Sequence, residues 1–259
     1  MPEVFGIEFT PLDKDALVHT FATEAVPRGA GVRLVVTTNV DHVVNLTRNE
    51  RFRAAYRAAW VATADGAPVA LYARLRGAAL AGRIPGPDLF AALMPQLAAD
   101  RHRPFFLVSQ VDTGLRLQKW LMDHGFLPEA VGIYCPPFGF ERDPEMSAAL
   151  SERIRQHGTT HLLMGIGAPK SEVWVHERCA ELGDFDATST SVMLYPLGEV
   201  WDGFEPALRR TFERYVQHVR QRRSEPSDYT PYEWRNVGAM VHLGMKKEAW
   251  EVAQDLLKD

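Results

Sequence analysis

The chain has 259 residues, 46% of them hydrophobic, and a formal net charge of -4. That length fits one large α/β domain, or one domain with an appendage, around a substantial core. The charge gives no reason to expect nucleic acid as a partner, and two cysteines, Cys135 and Cys179, are too few for a disulfide framework or a zinc cluster.

A reducing compartment suits that cysteine usage. Met1 to Thr10 lacks a basic segment followed by a long apolar run, so no signal peptide is expected. No apolar stretch reaches the roughly 20 residues that span a bilayer. The expectation is a cytoplasmic protein, free to touch a membrane surface.

Apolar runs alternate with helix-like segments through the first three-quarters of the chain. Val32 to Thr37 reads as a buried strand. Asp41 to Ala62 carries Val44, Phe52, Tyr56 and Trp60 at helical spacing. Pro68 to Ala73 follows the Asp65-Gly66 turn as another helix or a short strand. Pro87-Asp88 opens a helix through Leu97, with proline where a helix start tolerates it. Pro104 to Val108 is a second strand, followed by a helix from Leu115 to His124. Ala130 to Tyr134 is a third strand, Pro144 to His157 a helix and His161 to Met164 the fourth strand. The segment from Glu172 to Leu182 has the look of a helix, and Ser189 to Tyr195 of a fifth strand. Strands separated by helices of this length predict parallel pairing in a three-layer α/β architecture.

The character changes after about Gly203. Pro206 to Arg223 predicts a helix with six arginines against Glu213 alone. A polar linker, Ser224 to Pro231, precedes two short helical stretches, Trp234 to Leu243 and Lys246 to Leu257. The predicted division is therefore an α/β domain over 1–203 and a helical C-terminal appendage over 204–259.

Four places carry candidate chemistry. Thr37-Thr38-Asn39 ends a predicted strand, where an open parallel sheet binds ligands, but Asn39 equally suits a helix cap. Asp65 reads either as an Asx-type turn with Gly66 or as a general base on an attacking hydroxyl. Arg83, just before a helix, reads as a solvated charge or as a two-point clamp on phosphate. The turn Gly165-Ile166-Gly167-Ala168-Pro169-Lys170-Ser171-Glu172 either makes a turn only or cradles the phosphates of a nucleotide, with backbone N–H groups of the helix start aimed at the anion. Asp184-Phe185-Asp186 has a spacing used to hold divalent metals but reads as a solvated acidic loop after a helix end. The histidines are scattered, so no metal site is assigned.

These places fall in the order of a known pattern, and the chain resembles the WecG/TagA/CpsF family of bacterial glycosyltransferases. Its T-x-N element appears as Thr37-Thr38-Asn39 and its D-G element as Ala59 through Asp65-Gly66. Its R-(V/I)-x-G-x-D element is Arg83-Ile84-Pro85-Gly86-Pro87-Asp88, and its G-x-G-x-P-K-Q-E element runs from Gly165 to Glu172. Val131-Gly132 and Pro136 to Phe140 resemble its middle segment. The likeness covers about Val4 to Gly183.

The resemblance implies a Rossmann-like fold and an inverting transfer of a hexosamine or related sugar. The donor would be a UDP-sugar and the acceptor a polyprenyl-diphosphate-linked sugar, in surface-polymer synthesis at the inner face of the membrane. UDP-sugar is then a substrate, and no cofactor is expected. By resemblance Asp65 is the general base and Thr37 and Asn39 line the donor site. Arg83 meets phosphate, and Gly165, Gly167, Pro169, Lys170, Ser171 and Glu172 hold the nucleotide. Arg209, Arg210 and Arg214 are candidates for the acceptor diphosphate, and the basic C-terminal helix for membrane contact. A homo-oligomer is compatible with this reading.

Departures from the pattern define the alternative, a catalytically impaired member acting as a nucleotide-binding or assembly partner. Ser171 stands where the family has glutamine. Phe106 to Gln110 replaces a strand ending in paired glycines. Pro196 to Asp202 aligns with an altered G-V-G-x-x-F-D segment, and the R-A-P element after it is absent.

Overall fold

The computed structural model describes residues 3–98, 102–189, 213, 216–217, 237, 240 and 244–256. Two compact units divide the chain, Met1–Pro196 and Leu197–Asp259.

In the first unit the order is α1 (Lys14–Thr23), β1 (Arg33–Thr38), α2 (Val40–Arg48), α3 (Glu50–Arg57), β2 (Val61–Ala64), α4 (Ala67–Leu75), α5 (Gly86–Leu97) and β3 (Pro104–Val108). It continues with α6 (Val111–Asp123), β4 (Gly132–Tyr134), α7 (Pro144–Gln156), β5 (His161–Gly165), α8 (Lys170–Leu182) and β6 (Asp186–Ser189). The six strands form one sheet in the order β2-β1-β6-β5-β3-β4, and every pairing is parallel. Helices cover both faces, with α1 against α5 and both α3 and α7 against α8. This is the expected three-layer, Rossmann-like α/β fold. β3 is buried along its whole length, as both-face coverage of a central parallel strand requires.

Two expectations are corrected. Asp41 to Ala62 is not one helix but α2, α3 and the strand β2. Asn49 makes the break: its extended backbone ends α2, and its side chain accepts a hydrogen bond from Phe52 N at 3.1 Å, capping α3. Among the described residues the sheet has six strands where five were expected, and Asp65 follows a strand rather than a helix. The second concerns the acidic pair. Asp186 opens β6 and is buried, its carboxylate accepting two bonds from the Arg33 guanidinium at 2.8 and 2.9 Å. Asp184 accepts the backbone N–H groups of Gly29 and Gly31 at 2.8 and 2.7 Å. Both serve the N-terminal edge of the sheet, the end opposite the strand termini where ligands bind.

In the second unit, α9 (Lys246–Leu256) buries Ala249, Val252 and Ala253. Met245 N donates to the carbonyl of Met240 just before it. Residues 190–195 of the expected fifth strand, and most of the arginine-rich segment including Arg209, Arg210 and Arg214, lie outside the described residues.

Candidate active site

The C-terminal ends of β1, β2 and β5 bring three of the four sequence elements to one edge of the sheet. β1 and β2 pair in register, Thr37 with Thr63 and Thr38 with Ala64. The next backbone N–H, that of Asp65, donates to the carbonyl of Thr38 at 2.8 Å. The fourth element folds onto the same edge. Ile84 N donates to the carbonyl of Ala64 at 3.0 Å, and the Thr63 hydroxyl donates to the carbonyl of Ile84 at 2.9 Å.

The loop carrying Arg83 is thereby seated beside Asp65. Burial pushes the Asp65 carboxyl up to about 6. A hydrogen bond from the backbone of Gly86 and the Arg83 guanidinium pull it down, and Asp88 pushes it up again. A carboxyl held near neutrality, half-buried and beside an exposed arginine, has the properties of a general base.

Asn39 sits at the end of β1 and caps α2, its side-chain oxygen accepting from His42 N at 3.0 Å. Thr37 is buried within β1. Beneath them lies a cluster that the sequence elements do not announce. The Nδ1 of His42 lies 2.6 Å from the Tyr56 hydroxyl, and its Nε2 lies 3.9 Å from a carboxylate oxygen of Glu172. All three side chains are buried. Burial lowers His42 to about 4, so its imidazole is neutral at pH 7. Burial raises the Tyr56 phenol well above its usual range, and the charge of Glu172 adds to that rise. Tyr56 and His42 therefore tie α3 and α2 to the start of α8. Their sequence signal is a polar group at a helical position whose neighbours on the same face, such as Leu46, Phe52 and Val175, are apolar.

The glycine-bearing turn follows β5. Gly165 ends that strand and pairs with Val108 at the end of β3. There the chain diverges: α6 leads from β3 to β4 on one side, and α8 leads from β5 to β6 on the other. Open parallel sheets bind ligands at such a divergence. Gly167 is exposed at φ +88°, and the Ala168-Pro169 peptide bond is cis. α8 begins at Lys170, two residues before the expected start, which places Ser171 and Glu172 in its first turn. Both are fully buried. The Ser171 hydroxyl donates back to the carbonyl of Gly167 at 3.3 Å. Neither side chain presents a surface to a ligand, and the turn's open face is the backbone around Gly167 and Ala168. The Lys170 ammonium stands 6.0 Å from the ring of the fully exposed Phe138. It borders a groove of about 470 Å³ with Arg51 and Arg142.

A family model described as the glycosyl transferase WecG/TagA/CpsF family matches residues 2–189. The chain belongs to this family. It is a glycosyltransferase of bacterial cell-surface polysaccharide synthesis, taking a sugar donor and an acceptor. The match ends where β6 ends, so α1 to α8 and β1 to β6 lie inside the WecG/TagA/CpsF region and the second unit lies beyond it. Within that region Gly132 has a packing role. A Cβ added there would fall 2.2 Å from the Phe105 ring, so glycine is what lets β4 lie against β3. Among the described residues no group of three or more His, Cys, Asp or Glu is placed to hold a metal ion. No helix among them is long and apolar enough to cross a membrane.

Proposed function

We propose that the chain transfers a hexosamine or related sugar from a UDP-sugar to a polyprenyl-diphosphate-linked acceptor, with inversion and with Asp65 as general base. The observation that carries this reading is the Asp65 carboxyl, raised to about 6 at the end of β2 with Arg83 beside it. The acceptor hydroxyl gives its proton to Asp65 as its oxygen bonds to the anomeric carbon. The bond from that carbon to the donor's phosphate oxygen breaks on the opposite face, and UDP leaves with the electron pair. Positive charge lowers the energy of the departing diphosphate, and Arg83 supplies it.

The layout of the sheet supports the same division of labour. β2 and β5 are separated by β1 and β6, so Asp65 and the Gly167 turn stand about 14 Å apart across three strand spacings. One end of the site then takes the proton, with Arg83 at the diphosphate, while the other holds the rest of the nucleotide at the Gly167 turn, with Thr37 and Asn39 between. Arg209, Arg210 and Arg214 are proposed for the acceptor diphosphate, and action at the inner face of the membrane follows from the acceptor's lipid.

The test is calorimetry with UDP and a panel of UDP-sugars, followed by a sugar-transfer assay on wild type and Asp65→Asn. Binding of at least one UDP-sugar, with turnover lost in the variant, is expected. No binding of any UDP-sugar overturns the donor assignment. Ser171, whose hydroxyl is turned into the turn, favours a second reading of nucleotide binding without transfer. UDP binding by a wild type with no turnover on any acceptor would select it.

A further inference from the structure

Residues 66–87 contain no carboxylate and no uncharged polar side chain other than the phenol of Tyr72. Their only charges are Arg74, Arg76 and Arg83, in a chain whose net charge is -4. α4 lies in this stretch and is apolar on both faces. Val69, Ala70 and Ala73 point inward and are buried. Pro68, Leu71, Tyr72 and Leu75 recur at the spacing of a single helical stripe, and this stripe points outward. Leu71 is 62% exposed, Tyr72 46% and Leu75 76%. A surface helix of a soluble domain ordinarily turns charged or polar residues outward. Here the outward stripe is leucine and tyrosine, bordered by Arg74 and Arg76, which make no ion pair among the described residues.

The stripe is also held in shape. The Tyr72 ring stacks on Phe5 with centroids 5.0 Å apart, which fixes its position at the edge of the patch. Gly66, directly after Asp65, is the N-cap of α4, so the helix leaves the proposed catalytic edge and carries the stripe away from it.

We infer that the outward face of α4 docks on an anionic bilayer, with Leu71 and Leu75 entering the acyl boundary, Tyr72 at the headgroup level, and Arg74 and Arg76 on lipid phosphates. The charge pattern selects this occupant: cationic and apolar groups together, with no acid anywhere in residues 66–87, match an anionic lipid surface. The inference rests on the proposed function for the acceptor's lipid anchor, which brings a membrane to within reach of Asp65. α6 provides a contrast. Val111 and Leu115 are as exposed, but they share their helix with Asp112 and Asp123.

The experiment is flotation of the full chain with phosphatidylglycerol–phosphatidylethanolamine vesicles and with phosphatidylcholine vesicles. UDP calorimetry and sedimentation are run on the same proteins. Wild type is expected to float with the anionic vesicles and much less with phosphatidylcholine. Leu71→Ser/Leu75→Ser and Arg74→Glu/Arg76→Glu are each expected to lower anionic-vesicle binding about tenfold or more. The control Leu115→Ser leaves it unchanged, and UDP affinity is unchanged throughout. If both double variants float as wild type does, the inference is overturned. It is also overturned if wild type sediments as an oligomer that Leu71→Ser/Leu75→Ser dissociates without altering flotation, since the face is then a protein interface. A wild type that binds UDP but does not float overturns the docking surface alone. One that floats through α4 but binds no UDP overturns the proposed donor and leaves the surface standing.

Discussion

Ile84 and Ala64 share a backbone hydrogen bond of 3.0 Å, and through it the arginine loop is fastened to the strand that ends in the proposed base. Burial and Arg83 therefore act on one carboxyl in opposite senses. Asp65 must be ionised to accept a proton, so kcat/KM should rise with pH, bend at about 6 and level off above it. Below the bend it should fall about tenfold per pH unit. Arg83→Gln removes a charge that holds the carboxyl down, so its bend should lie at higher pH, together with weaker donor binding. A pH–rate profile flat from pH 5 to 7 in wild type would count against Asp65 as the base.

Asp65→Asn preserves size and hydrogen bonding while removing basicity. Turnover should drop by about 10² to 10⁴ while UDP affinity stays within a few-fold. Steady-state kinetics beside calorimetry separates these, and equal loss in both would assign Asp65 to donor binding.

Asn39 has a structural duty as the cap of α2 and a proposed one on the donor. Asn39→Ala should lose about 1 kcal/mol of stability, whereas Asn39→Asp keeps a capping oxygen and should lose much less. If the amide also meets the donor, UDP-sugar affinity falls in both variants. Denaturant unfolding and calorimetry on the pair decide it: affinity that follows stability leaves Asn39 a cap only.

Two glycines should respond in opposite ways. Gly132→Ala forces a methyl against the Phe105 ring, and overpacking of this kind costs roughly 1–3 kcal/mol. It should leave UDP affinity intact. Gly167→Ala meets no atom within 4 Å but sits at φ +88°, so its stability cost is about 1–2 kcal/mol from the left-handed backbone. Its methyl would occupy the approach to the turn, and UDP affinity should fall. Unaltered affinity there would remove the turn from the nucleotide site.

The Tyr56–His42 bond lies below the site and should report through stability. Tyr56→Phe is expected to cost about 1 kcal/mol. Folded His42 protonates at about 4 and an unfolded histidine near 6.5, so stability present above pH 6.5 is lost as pH falls toward 4. His161, also lowered to about 4, acts in the same sense, while Asp65 and Asp186, both raised to about 6, act in the opposite one. The informative quantity is thus a difference. Between pH 7 and pH 5, His42→Gln should lose less stability in urea unfolding than wild type, and an identical slope would place the neutral imidazole elsewhere.

Much of this arrangement is legible in the sequence, because β1, β3 and β5 are Val-, Leu- and Phe-rich runs bounded by turns. β2 is not: four residues, two of them alanine, extend the helical spacing of Phe52, Tyr56 and Trp60, and α3 closes at Ala58, a residue with no stop signal of its own. The positions of Asp65 and Arg83 are readable one at a time. Their meeting depends on Ile84 reaching β2, a contact across the fold that no local pattern encodes. The inward placing of Ser171 and Glu172 is hidden for a related reason. Beginning α8 at Lys170 turns both into the interior, where Glu172 faces His42.

β2 is the outermost strand on its side of the sheet, and an outermost strand offers its backbone to any extended chain that passes. Here that offer is already taken. Thr10 N bonds to the carbonyl of Ala62, and Ile84 N bonds to the carbonyl of Ala64. The segment that delivers Arg83 is thus also a guard against strand addition. Damage to its seating would be felt twice, once as lost sugar transfer and once as self-association through the bared edge.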